Sequence, residues 1–378
     1  MHLRAYAKIN PFLEITGKRD DGYHALSIVF RPVSLYDELV VEKTSGKGKL
    51  IIECNLPGLC GEDNILNKAY NALNARFPGI SSYNVKLTKN IPSGAGMGGG
   101  SSDAAAFLRA VNHLENLGLS MEQLCEVGAG IGADVPACLY RVPCSAGGIG
   151  EKLSMLDAPA KQYYIVIKPA VSFNTGAMYA KYDEVQSPSC KKKKIDKTLS
   201  AIAKGDTRAE AASYFNVFEK VVPEKKLISE LKKLLKSNGA EGALMTGSGS
   251  CVFGVFEDKK ARDAAARRIK KLFASEDAPE ACTVYTCESV NELRRQLHYV
   301  YIFECRDKTL YTGWTTDLKR REAAHNGTGG ARYTKSHGGG RIVYYEIFDC
   351  KSDALAREHS IKQLSKEEKN SLVKGFKV

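Results

Sequence analysis

Between an alternating apolar run (Tyr83, Val85, Leu87) and an alanine-rich segment starting at Ala104 lies the glycine-dense stretch Ile91 to Asp103, which holds Gly94, Gly96, Gly98, Gly99 and Gly100. A strand that feeds a glycine loop and then a helix, expected over Ala104 to Leu117, is severely restricted in what it can become. Glycine lets successive N–H groups turn toward one point, and the helix N-terminus adds partial positive charge there. The stretch therefore predicts a cradle for phosphate groups, formed by Pro92, Ser93, Gly94, Ala95, Gly96, Met97, Gly98, Gly99, Gly100, Ser101 and Ser102. It lacks the Gly-Lys-Ser/Thr ending of a P-loop. Gly94, Gly96 and Gly99 fit a dinucleotide spacing, but the extra glycines and Ser101-Ser102-Asp103 lie outside that pattern.

Four further segments belong with this loop. Ala7-Lys8-Ile9-Asn10 and Gly17 to His24 precede it, Gly132-Ala133-Asp134-Val135-Pro136 follows it, and a second glycine-serine turn runs from Met245 to Cys251. In this order they resemble the GHMP small-molecule kinases, and among them those acting on a cytidine-diphosphate-linked polyol. Pro11 departs from the more usual aliphatic residue. The resemblance implies ATP and Mg²⁺, with the loop around the phosphates, Ser101 or Ser102 near the metal, and Asn64 and Lys89 around the nucleotide. It also implies Asp134 as the base that takes the acceptor's hydroxyl proton, with Lys8 beside it. Asn10, Tyr23 and His24 would receive the acceptor, the last two at its cytidine end. The acceptor so implied is 4-diphosphocytidyl-2-C-methyl-D-erythritol, phosphorylated on its 2-hydroxyl. A different polyol acceptor, or a nucleic-acid-binding protein with an inert kinase lobe, are the competing readings.

The order of elements is mixed α+β. Ile51–Cys54, Tyr163–Ile167 and Cys251–Phe256 read as strands, Glu230–Lys236 and Lys260–Phe273 as helices. The family resemblance implies a two-lobed kinase over residues 1–292, with an ATP-binding lobe to about 155 and a ferredoxin-like lobe after it. The polar segment Thr286 to Gln296 would close this unit.

A new pattern starts at Tyr299. Tyr299–Phe303 and Leu310–Gly313 read as a hairpin, followed by a helix near Asp317 to His325, a strand Ile342–Glu346 and a helix from Asp353 to Leu364. Tyr299-Val300-Tyr301 and Tyr311-Thr312-Gly313 resemble the two tripeptides of the GIY-YIG nucleases, so residues 298–378 are expected to form a small α/β domain of that kind. The resemblance implies Tyr301, Tyr311, Arg321 and His325 as catalytic groups, Glu358 as ligand of a divalent metal, and DNA as partner. If both tyrosines face one site, residues opposite each other in the hairpin must have an even sum. A three-residue loop, Arg306-Asp307-Lys308, pairing Cys305 with Thr309, satisfies this condition.

The formal net charge is +12, and residues 298–378 carry 15 Lys/Arg against 10 Asp/Glu, a balance compatible with a polyanionic partner. The eleven cysteines include no C-x-x-C pair and read as small core residues of a reducing compartment. With no long apolar run and no signal-like start, the expectation is a cytoplasmic protein without membrane contact.

Overall fold

A computed structural model describes residues 1–20, 22–185, 192–275, 281–292, 296–327 and 332–376, with the side chains of Lys47 and Lys335 outside the description. The chain divides into two compact units. One comprises Ala5–Glu38 and Lys43–Leu293; the other comprises Met1–Arg4, Leu39–Glu42 and Arg294–Val378.

In the larger unit the glycine loop lies between the strand Ser81–Thr88 and the helix Gly99–Leu114. That helix starts five residues earlier than the alanine run suggests, because Gly98 takes up the left-handed conformation (φ 70°) and turns the chain directly into its first turn. Ser81–Thr88 pairs in parallel with Leu50–Cys54. The helix buries Ala104 to Leu108, Ala110 and Val111. This is the broad apolar face that an alanine-rich helix can press closely against a sheet.

A four-stranded antiparallel sheet forms the second half of the unit, in the order Cys282–Glu288, Tyr163–Pro169, Val252–Phe256, Gly242–Met245. Two helices, Lys225–Ser237 and Lys259–Phe273, pack against it. The strand Cys282–Glu288 runs into the polar segment Thr286 to Gln296 expected to close this unit. Its Thr286 and Cys287 pair with Ile165 and Tyr164, and Cys287 is buried, so apolar alternation persists past the point where polarity rises.

In the smaller unit, Leu310–Thr315 pairs with His298–Cys305, which pairs in turn with Gly340–Phe348. Helices Lys351–Gln363 and Lys366–Gly375 follow, and Val300, Ile302, Tyr344, Phe348, Ala354 and Ile361 form the core. The N-terminal residues join this unit through a parallel pairing of His2 with Phe348 and an Arg4–Asp353 ion pair at 2.5 Å. Among the described residues the cysteines are all free, and no helix is long and apolar enough to cross a membrane.

Candidate active sites

Alternation on the first strand sends Ala7 and Ile9 into the core and Lys8 and Asn10 toward the opposite side. Lys8 is buried, and its Nζ donates to Asn10 Oδ1 at 2.8 Å and Gly96 O at 3.1 Å. The same Nζ lies 3.1 Å from Asp134 Oδ2. Asp134 stands at the N-cap of the helix Val135–Tyr140, yet its side chain makes no capping bond, so its half-exposed carboxylate faces Lys8 instead. The carboxylate's field reaches Tyr179, whose hydroxyl is pushed up to about 12, first by burial and then by Asp134.

The two glycine turns lock together. Thr246 donates to Gly96 O at 3.3 Å, Cys251 N–H donates to Ala95 O at 3.3 Å, and Lys8 N–H donates to Met97 O at 2.9 Å. A Cβ on Gly96 would sit 2.1 Å from Thr246 O, so no other residue fits there. The helix Gly99–Leu114 has no side-chain cap, leaving its first N–H groups to an outside acceptor. Pro92 through Ser101 line a cleft of about 590 Å³ together with Lys8, Asn10, Asn64, Lys89 and Asp134. Ser102 does not: its hydroxyl donates to Tyr6 O at 2.6 Å inside the protein, leaving Ser101 as the hydroxyl facing the cleft.

Lys89 is buried between two carboxylates, Asp37 and Asp103, the latter at 2.6 Å. Burial opposes its charge, but the two carboxylates prevail and raise its pKa. Burial, reinforced by Asp37, pushes Asp103 up to about 8 against the pull of Lys89. Neither acid carries a role in the sequence reading, because nothing local marks it: Asp37 meets Lys89 across 52 positions and Asp103 across 14. Asn64 caps the helix Ile65–Arg76 by accepting from Leu66 N–H at 2.9 Å, and it borders the cleft as well.

Tyr23 is 62% exposed, and neither it nor His24 lines this cleft; Phe173, Thr175 and Tyr179 do. Tyr179 stacks on the His24 ring with centroids 4.8 Å apart. These three wall residues carry no motif, and sequence reasoning passed over them.

In the smaller unit Tyr301 lies opposite Gly313, and Phe303 opposite Tyr311. Cys305 N–H donates to Thr309 O at 2.8 Å around the loop Arg306–Lys308, with Lys308 left-handed at φ 67°. The register is thus the even-sum one, and the two tyrosine rings approach to 6.4 Å. Arg321 Nε donates to Tyr301 Oη at 2.8 Å, and His325 Nε2 lies 2.8 Å from the same oxygen. His325 Nδ1 meets Thr334 Oγ1 at 2.8 Å. Burial, then the Arg321 charge, pulls His325 down to about 4, so the ring is neutral and one nitrogen accepts. Tyr301 is fully buried and pushed up to about 12, leaving Tyr311 as the less enclosed of the pair. Glu358 is paired with Lys362 at 2.9 Å and near enough to act on Tyr301. No cluster of three or more potential metal ligands exists among the described residues.

Residues 64–141 match the GHMP kinases N terminal domain and residues 197–275 the GHMP kinases C terminal domain. A 4-diphosphocytidyl-2-C-methyl-D-erythritol kinase of Caldicellulosiruptor bescii is 39% identical over 76% of this chain and 99% of its own length. The chain belongs to this kinase family. A kinase of the same name from Clostridioides difficile is 36% identical over 69% of this chain and 88% of its own length. A crystal structure of 4-(cytidine 5'-diphospho)-2C-methyl-D-erythritol kinase superposes with a TM-score of 0.61 at 31% identity, covering 76% of this chain and 99% of that one. A homoserine kinase from Cytophaga hutchinsonii, 18% identical with a TM-score of 0.59, shares the fold. Residues 297–371 match the GIY-YIG catalytic domain, so this kinase carries an appended nuclease-like domain. It is an ATP-dependent small-molecule kinase of the GHMP type.

Proposed function

We propose that the kinase unit transfers the γ-phosphoryl group of ATP to the 2-hydroxyl of 4-diphosphocytidyl-2-C-methyl-D-erythritol. The observation that carries this reading is the Lys8–Asp134 pair at 3.1 Å, at the wall of a cleft bordered by two interlocked glycine turns. Asp134 accepts the proton of the acceptor hydroxyl as it attacks. Lys8, 3.1 Å from that carboxylate, offers positive charge to the developing alkoxide. The uncapped N-terminus of Gly99–Leu114 and the loop amides hold the phosphates. This cradle, too tight for any side chain at Gly96, fits a triphosphate, and Ser101 would hold Mg²⁺ to neutralise it. Asn10, Tyr23 and His24 receive the acceptor.

For the second unit the reading is a DNA-binding domain with metal-dependent cleavage. Tyr311 would act as general base on water, Tyr301 and His325 orient Arg321 toward the phosphate, and Glu358 would hold a divalent ion that supplies charge neutralisation there. We assign residues 1–292 to the kinase and 298–378 to this domain.

Product analysis tests the kinase reading: purified protein, ATP and Mg²⁺ are incubated with this acceptor, homoserine and mevalonate. Phosphorylation of the cytidylyl acceptor alone is expected. Turnover of mevalonate or homoserine in its place would overturn the assignment. Divalent-metal-dependent nicking of DNA by the same preparation, absent in an Arg321→Ala variant, is the matching result for the second unit.

A further inference from the structure

His24 opens the strand His24–Lys47, and Lys18 closes the strand His2–Lys18. Between them, one carboxylate from the helix Thr175–Val185 joins both. Asp183 Oδ1 lies 2.7 Å from His24 Nε2, and Asp183 Oδ2 lies 2.6 Å from Lys18 Nζ. One turn earlier on that helix Tyr179 lies flat against the imidazole at 4.8 Å and 23°, with Tyr182 edge-on at 6.3 Å. The ring is therefore gripped by its face, its edge and one nitrogen.

A carboxylate can only accept, so Nε2 carries a proton, and in the neutral tautomer that this fixes, Nδ1 is the acceptor. Lys18 and then His24 itself hold the Asp183 carboxyl below its usual range, so it stays an acceptor at neutral pH. The other nitrogen, Nδ1, has no hydrogen-bond partner among the described residues and is not sealed in the interior. It is an acceptor awaiting a donor.

The geometry points to Asp183 as a positioning residue that fixes His24 in the Nδ1-acceptor form and so makes the site selective for cytosine over uracil. The inference rests on the cytidylyl reading proposed above and adds to it. Cytosine carries an amino donor where uracil carries a carbonyl acceptor. An Nδ1 lone pair attracts the first and repels the second. Without Asp183 the imidazole could carry its proton on either nitrogen, and the distinction would weaken. In this role Asp183, held by Lys18 and His24, acts through His24.

The test compares 4-diphosphocytidyl- and 4-diphosphouridyl-linked 2-C-methyl-D-erythritol as acceptors for the full-length protein, with KM for each, KM for ATP and kcat measured separately. In Asp183→Leu the KM for the cytidylyl acceptor is expected to rise about ten-fold, the scale of one unmatched hydrogen bond. Its cytidylyl-over-uridylyl preference should fall by a similar factor, while KM for ATP and kcat stay within about two-fold. Asp183→Asn retains an acceptor oxygen and is expected to rescue most of the preference. Should the leucine variant fail to fold, Asp183→Ser removes the carboxylate at lower cost in packing and is read in the same way. A preference unchanged while KM rises, or ATP and acceptor constants moving together, would make Asp183 a structural clasp and overturn the inference. A wild-type protein that phosphorylates neither acceptor would instead refute the substrate reading, and the role of Asp183 with it.

Discussion

Tyr301 sits directly across the hairpin from Gly313, and its hydroxyl occupies the space that a side chain at 313 would need. A Cβ there would come within 2.5 Å of Tyr301 Oη and 2.8 Å of its Cζ. The glycine thus lets the phenol lie flat over the neighbouring strand, where Arg321 and His325 both reach its oxygen.

Gly313→Ala is accordingly expected to destabilise the smaller unit by about 1–3 kcal/mol, the usual range for overpacking. Trp314, the only tryptophan of the chain, packs against the core of this unit, so its fluorescence during urea unfolding reads this unit. Combining Gly313→Ala with Tyr301→Phe, which removes the clashing oxygen, should cost less than the sum of the two single changes. Strict additivity would argue against this contact.

Catalysis in the kinase is tested at Asp134. Asp134→Asn keeps the size of the side chain and leaves the phosphate cradle intact. It should retain ATP binding by calorimetry and lose about 10²–10⁴-fold in kcat, the scale of a positioned base. A variant with near-normal turnover would reduce Asp134 to a partner of Lys8.

The pair Lys89 and Asp103 separates structure from chemistry in the same cleft. Lys89→Met leaves Asp37 and Asp103 buried together without a cation, and should cost about 3–5 kcal/mol in urea unfolding. Asp103→Asn should cost much less, because Lys89 keeps its pairing with Asp37 and the change removes a charge that burial and Asp37 already disfavour. Equal losses in the two variants would contradict this ordering.

Much of this arrangement was legible in local pattern. The glycine loop, the isolated Lys8 on an apolar strand and the even-sum register of the hairpin each follow from rules that operate over a few residues. Loop length alone decides whether Tyr301 and Tyr311 share a face, and three residues between Cys305 and Thr309 can be counted. The helix start at Gly99 was missed because helix propensity disfavours glycine, whereas here the left-handed Gly98 and the tight turn govern. Ser102 looked equivalent to Ser101, but a helix turns its residues through about 100° each, and that rotation sends Ser102 to Tyr6 O. Asp37, Asp103, Tyr179 and Asp183 were silent for a different reason. Each acquires its role from a partner distant in the chain, and single-sequence periodicity records nothing about such pairs.

His325 gives the smaller unit a dependence on pH that can be derived from its surroundings. The free side chain titrates at 6.5, whereas burial and Arg321 bring the folded ring down to about 4. Between these values the unfolded chain takes up a proton that the folded ring refuses. Protons therefore favour unfolding in that window, and stability declines as the pH falls from 6.5 toward 4. Above 6.5 both states are neutral and this contribution is constant. Trp314-detected unfolding between pH 4 and 8 should show such a slope, and His325→Gln should flatten it while lowering stability at neutral pH through the loss of hydrogen bonds to Tyr301 and Thr334. An unaltered slope in that variant would assign the pH dependence to other groups and show that the His325 ring accepts its proton as readily in the folded unit as outside it.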